Sequence, residues 1–381
     1  MSKPPIYLDY NATTPLDPEV LEAMLPYLRE HFGNPSSSHA YGKAAKEAVN
    51  KARVQTAKLV GSANDEILFT SGGTESNNHA IIGTALANRE KGKHIITSEI
   101  EHPSVLQTLQ YLKERFAFAI THLPVDKHGM VNPSDVKKAI SQETVLITIM
   151  HANNEVGTIE PIEEIGEVAK ERNVTFHIDA AQSCGKIPVN VDKLNVDLLT
   201  IAGHKLYAPK GIGALYIRSE TKLDKFIHGA GQEKGKRAGT ENVPYIVGLG
   251  LACERASSNL SSFSQSVRIL RDRLHRNILD GLGEEKVKLN GHPKKRLPNT
   301  LNISIKGVIG EKLLSRTPEI AASTGSACHA GSTEPSAVLL AMGLTRKQAL
   351  GALRLSLGRW SKKDEIDEAS QLIIRNVKSK K

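Results

Sequence analysis

With 381 residues, 39% of them hydrophobic and 24% charged, the chain is long enough for one large and one smaller globular domain. No run approaches ~20 apolar residues, so no membrane span is expected, and three cysteines, Cys184, Cys253 and Cys328, are too few and too scattered for a disulfide framework or a zinc site. The excess of 50 basic over 41 acidic residues (+9) is spread along the chain, apart from Lys294-Lys295-Arg296 and the tail from Lys378 to Lys381, and aromatics are only 4%; without an RNA-binding or finger motif this reads as solvated surface, not a nucleic-acid face.

The chain starts with Met1-Ser2-Lys3-Pro4-Pro5 and runs at once into Ile6-Tyr7-Leu8-Asp9, with no apolar signal core and no Arg-rich leader, which predicts a cytoplasmic location. Strands are then expected at Glu66 to Thr70, His94 to Thr97, Val145 to Met150, Val174 to Ile178, Leu198 to Ile201 and Ala214 to Ile217. Helical patterns fall between them, near Glu75 to Arg89, Val105 to Arg115 and Ile162 to Glu171. The run Val145-Leu146-Ile147-Thr148-Ile149-Met150 is apolar almost throughout, as for a strand buried on both faces. This alternation predicts an α/β domain with a mostly parallel sheet. After about residue 260 the texture changes. A charged helix (about Ser264 to Leu282) precedes Asn299 to Ile305, which alternates like a half-exposed strand, and an amphipathic helix begins at Asp364. The expected division is a large domain, 15–259, and a smaller α+β domain made of 1–14 and 260–381.

Ligands in such sheets sit where strands end in loops, and five segments there carry chemistry. Ser71-Gly72-Gly73-Thr74 turns tightly from a strand into a helix, aiming N–H groups and the positive helix end at one point that suits a phosphate; an ordinary glycine turn reads as well, and no Gly-Lys-Ser/Thr follows to make it a P-loop. Asp179, at the end of Ile178-Asp179-Ala180-Ala181-Gln182, can keep a ring nitrogen protonated or simply cap a helix. Lys205, in Gly203-His204-Lys205, follows a buried run; if desolvated it offers the neutral amine that condenses with an aldehyde, and otherwise it is a surface lysine. His102, in Glu101-His102-Pro103, can stack on a flat cofactor and move protons, or be a plain loop residue. Finally, Ser323 to Ser332 is a run of small side chains around Cys328 and His329, expected as an exposed loop (about 323–335) with one reactive thiol.

In order, these segments resemble the cysteine desulfurases, a branch of the fold-type I pyridoxal-phosphate enzymes. The resemblance extends over Tyr7 to Pro15, Gly33 to Ser37, Asn153-Asn154-Glu155, Arg237 to Asn242, Gly325-Ser326-Ala327-Cys328 and Arg354 to Arg359. It implies a large domain with a mostly parallel seven-stranded sheet, pyridoxal 5'-phosphate held covalently by Lys205, Asp179 at the ring nitrogen, Gln182 at the ring hydroxyl and His102 on the ring face. It also implies phosphate contacts from Gly73, Thr74, the 202–204 turn (Ala202, Gly203, His204) and Thr240 of a second subunit, hence a homodimer. Asn154 and Arg354 would bind the substrate carboxylate. Cys328 would take sulfur from L-cysteine as a persulfide, release L-alanine and pass the sulfur to an acceptor protein, such as the scaffold of iron-sulfur cluster biogenesis. No metal is implied.

Three departures bear on this. Ala202 stands where many members carry a serine, a feature shared with some selenocysteine lyases, and selenide release from selenocysteine is the alternative activity. His329 replaces the usual threonine after the cysteine. The sequence ends at Lys381, soon after the last helix, and is expected to lack the C-terminal extension by which cluster-assembly members dock their scaffold.

Overall fold

A computed structural model describes residues 4–325 and 334–379. A short strand, β1 (Ile6–Tyr7), precedes a long alternation of helices with β2 (Ile67–Thr70), β3 (His94–Ser98), β4 (Ala119–Leu123), β5 (Thr144–Met150), β6 (Thr175–Asp179), β7 (Leu198–Ala202) and β8 (Gly213–Ile217). These seven strands form one sheet in the order β2-β8-β7-β6-β5-β3-β4. Strand β8 is antiparallel to both neighbours, and the other pairings are parallel. All residues of β5, β7 and β8 are buried, because helices cover both faces; the edge strand β4 is mostly uncovered, which is why its sequence tolerates Thr121 and His122.

The remainder of the chain builds a second layer on its own core. Strands β9 (Val287–Leu289), β10 (Thr300–Ile305) and β12 (Ala352–Ser356) form an antiparallel sheet with β10 in the middle, and β1 pairs in parallel with β11 (Ile320–Ala321). The helices Leu260–Leu282 and Lys363–Lys378 lay Leu274, Ile278, Ile366 and Ile373 on this sheet against Leu301, Ile303 and Leu353. Ile6 and Leu8 enter that same core, so the N-terminal segment is stitched to the C-terminal one.

Strand β10 departs from the sequence expectation. It is buried along its whole length, not half-exposed. Its polar positions face other polar groups instead of water: Asn302 donates to the Glu155 carbonyl at 3.1 Å, and Asn290 Nδ2 reaches Asn302 Oδ1 and Ser304 Oγ, both at 2.8 Å. Period-2 alternation reports two different faces, and here the polar one meets protein. Gly358 is fixed by contact. A Cβ there would lie 2.0 Å from the Tyr10 ring, so only glycine lets the chain pass the N-terminal segment.

The carboxyl ends of β3 and β5 are joined through a buried acid. Glu101 Oε1 accepts from Ser98 Oγ at 2.5 Å and from the Met150 N–H at 3.0 Å. Burial, with a smaller push from Asp179, raises its carboxyl from 4.5 to about 8. The folded state therefore keeps a proton that the unfolded chain loses above about 4.5, so this group costs stability progressively as pH rises from there to about 8. Glu101→Gln, which imitates the protonated acid, is expected to lose less melting temperature than wild type between about pH 5 and pH 8. Thermal melts across that range read it, and parallel curves for the two proteins would exclude Glu101 as the source.

Candidate active site

The carboxyl edge of the large sheet opens into a cavity of about 270 Å³. Asp179 ends β6, Ala202 ends β7, and the helix Gly73–Ala87 starts just beyond β2, so consecutive strand ends deliver side chains to one place. Of the residues singled out in the sequence, Gly73, Thr74, His102, Asn154, Asp179 and Gln182 line this cavity, with Ala202, His204, Lys205 and Arg354.

Two residues are absent from its walls. Gly203 N–H is spent on the Ile212 carbonyl at 3.1 Å, and a Cβ there would lie 2.8 Å from that same oxygen; its contribution is close packing beneath the cavity. Thr240 is exposed and lies on a separate cavity of about 170 Å³ with Ser71 and Arg237. Cys328 and His329 fall outside the described residues.

The helix Gly73–Ala87 begins with Gly72 at φ 149°, a backbone that favours glycine, and no side chain caps its end. Its first N–H groups and the positive end of its dipole are therefore left for an anion at the cavity wall. A Cβ on Gly73 would come within 3.2 Å of the Ala202 methyl, so the two small residues keep this corner open. Glu75 does not oppose an anion there. Its carboxylate turns away to Arg237 at 2.9 Å and to the Ser71 N–H at 2.7 Å.

Asp179 is not a helix cap. Its Oδ1 accepts from the Ala181 N–H at 2.9 Å, and its Oδ2 accepts from Asn77 Nδ2 at 2.8 Å. Asn77 Nδ2 also meets Ser104 Oγ at 2.8 Å, and Ser104 Oγ lies 2.8 Å from His102 Nδ1. His102 caps the helix Pro103–Phe116: its Nδ1 accepts the Ser104 N–H at 3.1 Å. Burial lowers the imidazole below its usual range, and Lys205 adds to this against Asp179. A neutral ring that accepts at Nδ1 carries its proton on Nε2. His204 is driven down to about 4, by burial first and then by Lys205, and its Nδ1 lies 3.1 Å from Thr13 Oγ1.

Lys205 is half-buried, and its Nζ donates to the carbonyls of Asn11 at 2.5 Å and Ala12 at 2.6 Å. Arg354 is almost wholly buried. It donates to Asp9 Oδ1 at 2.7 Å and to the Asn154 carbonyl at 3.3 Å, while its buried Nε has no partner among the described residues. A buried guanidinium on the wall of the cavity suits a carboxylate.

Sequence reasoning missed Asn11, Asn77, Ser104 and Lys186. The first two lie inside motifs already singled out, but nothing marks one amide in a motif as a hub. Lys186 follows Gln182 by four residues, a spacing that brings two side chains together, and its neighbours Cys184, Gly185 and Ile187 hint at burial. Cys184 and Cys253 are buried, and burial raises both thiols, that of Cys253 to about 12. Among the described residues no group of His, Cys, Asp or Glu is set to hold a metal, and no helix is long and apolar enough to cross a membrane.

The aminotransferase class-V family model matches residues 6–369. The chain is 51% identical to the cysteine desulfurase IscS of Methanosarcina thermophila over 371 residues, 97% of this chain and 91% of that protein. A solved NifS-like protein superposes with a TM-score of 0.91 at 38% identity, covering 98% of this chain and 99% of its own. Another, SspA in complex with cysteine, gives a TM-score of 0.82 at 40% identity over 93% and 99% of the two chains. The chain therefore belongs to the aminotransferase class-V family and, within it, to the cysteine desulfurases, which are pyridoxal-phosphate-dependent enzymes.

Proposed function

We propose that this chain is a cysteine desulfurase that carries pyridoxal 5'-phosphate on Lys205 and takes sulfur from L-cysteine onto Cys328. The observation that carries the reading is a convergence in one cavity of about 270 Å³: a lysine amine, a buried carboxylate, a neutral imidazole and an uncapped helix start. The residues fit the group. The helix start at Gly73 and Thr74, with His204, suits the phosphate, the small side chain of Ala202 keeps the corner open, and Asp179 suits a protonated ring nitrogen. Gln182 would meet the ring oxygen and His102 the ring face. The bound cofactor supplies a conjugated, electron-withdrawing ring that receives the electron pair released from the substrate's Cα.

Arg354 and Asn154 hold the substrate carboxylate, Arg354 by the charge of its guanidinium. Lys205, which would hold the cofactor before substrate binds, is the base that would take the Cα proton. His102, neutral with its proton on Nε2, is set to give and recover a proton at the substrate. Asp179 stabilises the positive ring nitrogen throughout. The Cys328 thiolate attacks the substrate sulfur; an S–S bond forms, the Cβ–S bond breaks with its electron pair going to Cβ, and protonation of Cβ together with return of the proton to Cα yields alanine. Neither described cysteine can replace Cys328, since burial holds both thiols protonated near neutral pH.

The relatives of about 50% identity are cysteine desulfurases, and one solved relative holds cysteine, which favours cysteine over selenocysteine. Thr240, exposed and away from its own cavity, is assigned to the phosphate of a second copy in a homodimer. We divide the chain at 14/15 and 259/260, in keeping with a core that unites Ile6 and Leu8 with residues 274–373. The persulfide passes to an acceptor protein, and a reducing compartment, the cytoplasm, suits such a thiol.

Borohydride reduction of the loaded enzyme should add the cofactor's mass at Lys205 and leave Lys205→Ala unmodified. A modified Lys205→Ala chain would reject that attachment. With cysteine, Cys328→Ala should lose alanine formation and persulfide by roughly 100-fold or more, while cofactor absorbance stays. Alanine release at the wild-type rate from the variant, or negligible turnover of cysteine beside fast turnover of selenocysteine in wild type, would overturn the desulfurase reading.

A further inference from the structure

Lys186 is buried behind the cavity, only 4% exposed, and the chemistry above does not use it. Its Nζ donates to Gln182 Oε1 at 2.6 Å and to Asn11 Oδ1 at 3.3 Å. A small cavity of about 20 Å³ touches both Lys186 and Lys205, with room for one water. Burying this amine is unfavourable. Desolvation drives its pKa well down, and Lys205 and Arg354 add to this, opposed only weakly by Cys184. A methionine would fill the same space without that penalty.

We propose that Lys186 is a positioning residue that fixes the amide of Gln182, so that its Nε2 presents an N–H to the ring oxygen of the bound cofactor. The two ends of a glutamine amide have nearly the same shape, and only their partners decide which way it lies. Lys186 is a donor to Oε1, so the oxygen turns toward it. Nε2 is left to give one N–H to the Asn11 carbonyl, at 2.9 Å, and the other to the cavity. The Asn11 carbonyl, which can only accept, favours the same orientation from the Nε2 side, and Lys186 adds the partner that holds Oε1. The assignment rests on the reading that Gln182 meets that ring oxygen.

The visible absorbance of the loaded enzyme reports it. Loss of the cofactor's ionisable proton leaves negative charge on the ring oxygen uncompensated. An N–H aimed at that oxygen favours the deprotonated form and lowers the pH midpoint of the spectral change. Lys186→Met should raise the midpoint by about one unit, the size of one hydrogen bond to a charged group, and Lys186→Arg, which keeps a donor, should stay near wild type. An unmoved midpoint in a folded Lys186→Met protein would overturn the proposal. If circular dichroism shows that Lys186→Met does not fold, Lys186→Ala, which also removes the donor, is titrated by the same criterion. Failure of both to fold would make Lys186 structural only, and also overturns it. A wild-type protein that takes up no cofactor and shows no visible band would instead remove the reading on which the proposal stands.

Discussion

Asn11 holds the two layers of the molecule together at the point where chemistry is done. Its carbonyl accepts from Lys205 and from Gln182, while its side-chain oxygen accepts from Lys186 and from Asn299. Its Nδ2 donates to the Asn154 carbonyl and to Thr300 Oγ1, and its own N–H reaches Ser356 Oγ. One residue, 1% exposed, thus connects the turn after β7, the turn after β6, the loop after β5 and two strands of the second layer. Buried polar groups must find partners, and here three of them, Lys205, Gln182 and Asn154, also line the cavity. Such a network has few alternative arrangements, which is what a site requires when its groups must be held to fractions of an ångström.

The network also sets the charge of the site. Lys205 and Arg354 face the cavity and Lys186 lies behind it, against Asp179 and Asp9. Both histidines in the cavity are pushed toward the neutral form by burial. The balance favours anions, such as a phosphate at the uncapped helix start and a carboxylate at Arg354. The orientation of His102 is fixed through Ser104 by Asn77 and Asp179.

Much of the site was legible because strand ends in an α/β sheet lie on one edge, so residues after successive apolar runs converge. Asp179, Ala202 and Lys205 follow that rule directly. The two choices left open at Asp179 and His102 were decided by backbone context: β6 is followed by a turn, so Asp179 has no helix to cap, whereas His102 does cap one and still faces the cavity. Strand β10 was misread for a related reason. Its alternation was real, but a polar face can be satisfied by the Asn290, Glu155 and Thr300 environment as well as by water.

By itself the sequence determined the periodicities of the layers, the glycine turn before the helix that starts at Gly73, and the order of the candidate site residues along the chain. These are local properties, set by residue type and spacing. Only the tertiary structure decided that Asn11 is a hub, that Glu101 is a buried acid held proton-bound and that Lys186 reaches Gln182. Each depends on burial and on partners as much as 345 residues away, as with Asp9 and Arg354. Desolvation and long-range hydrogen bonding have no local signature, because the same Asn, Glu or Lys is an ordinary solvated side chain until the fold removes the water.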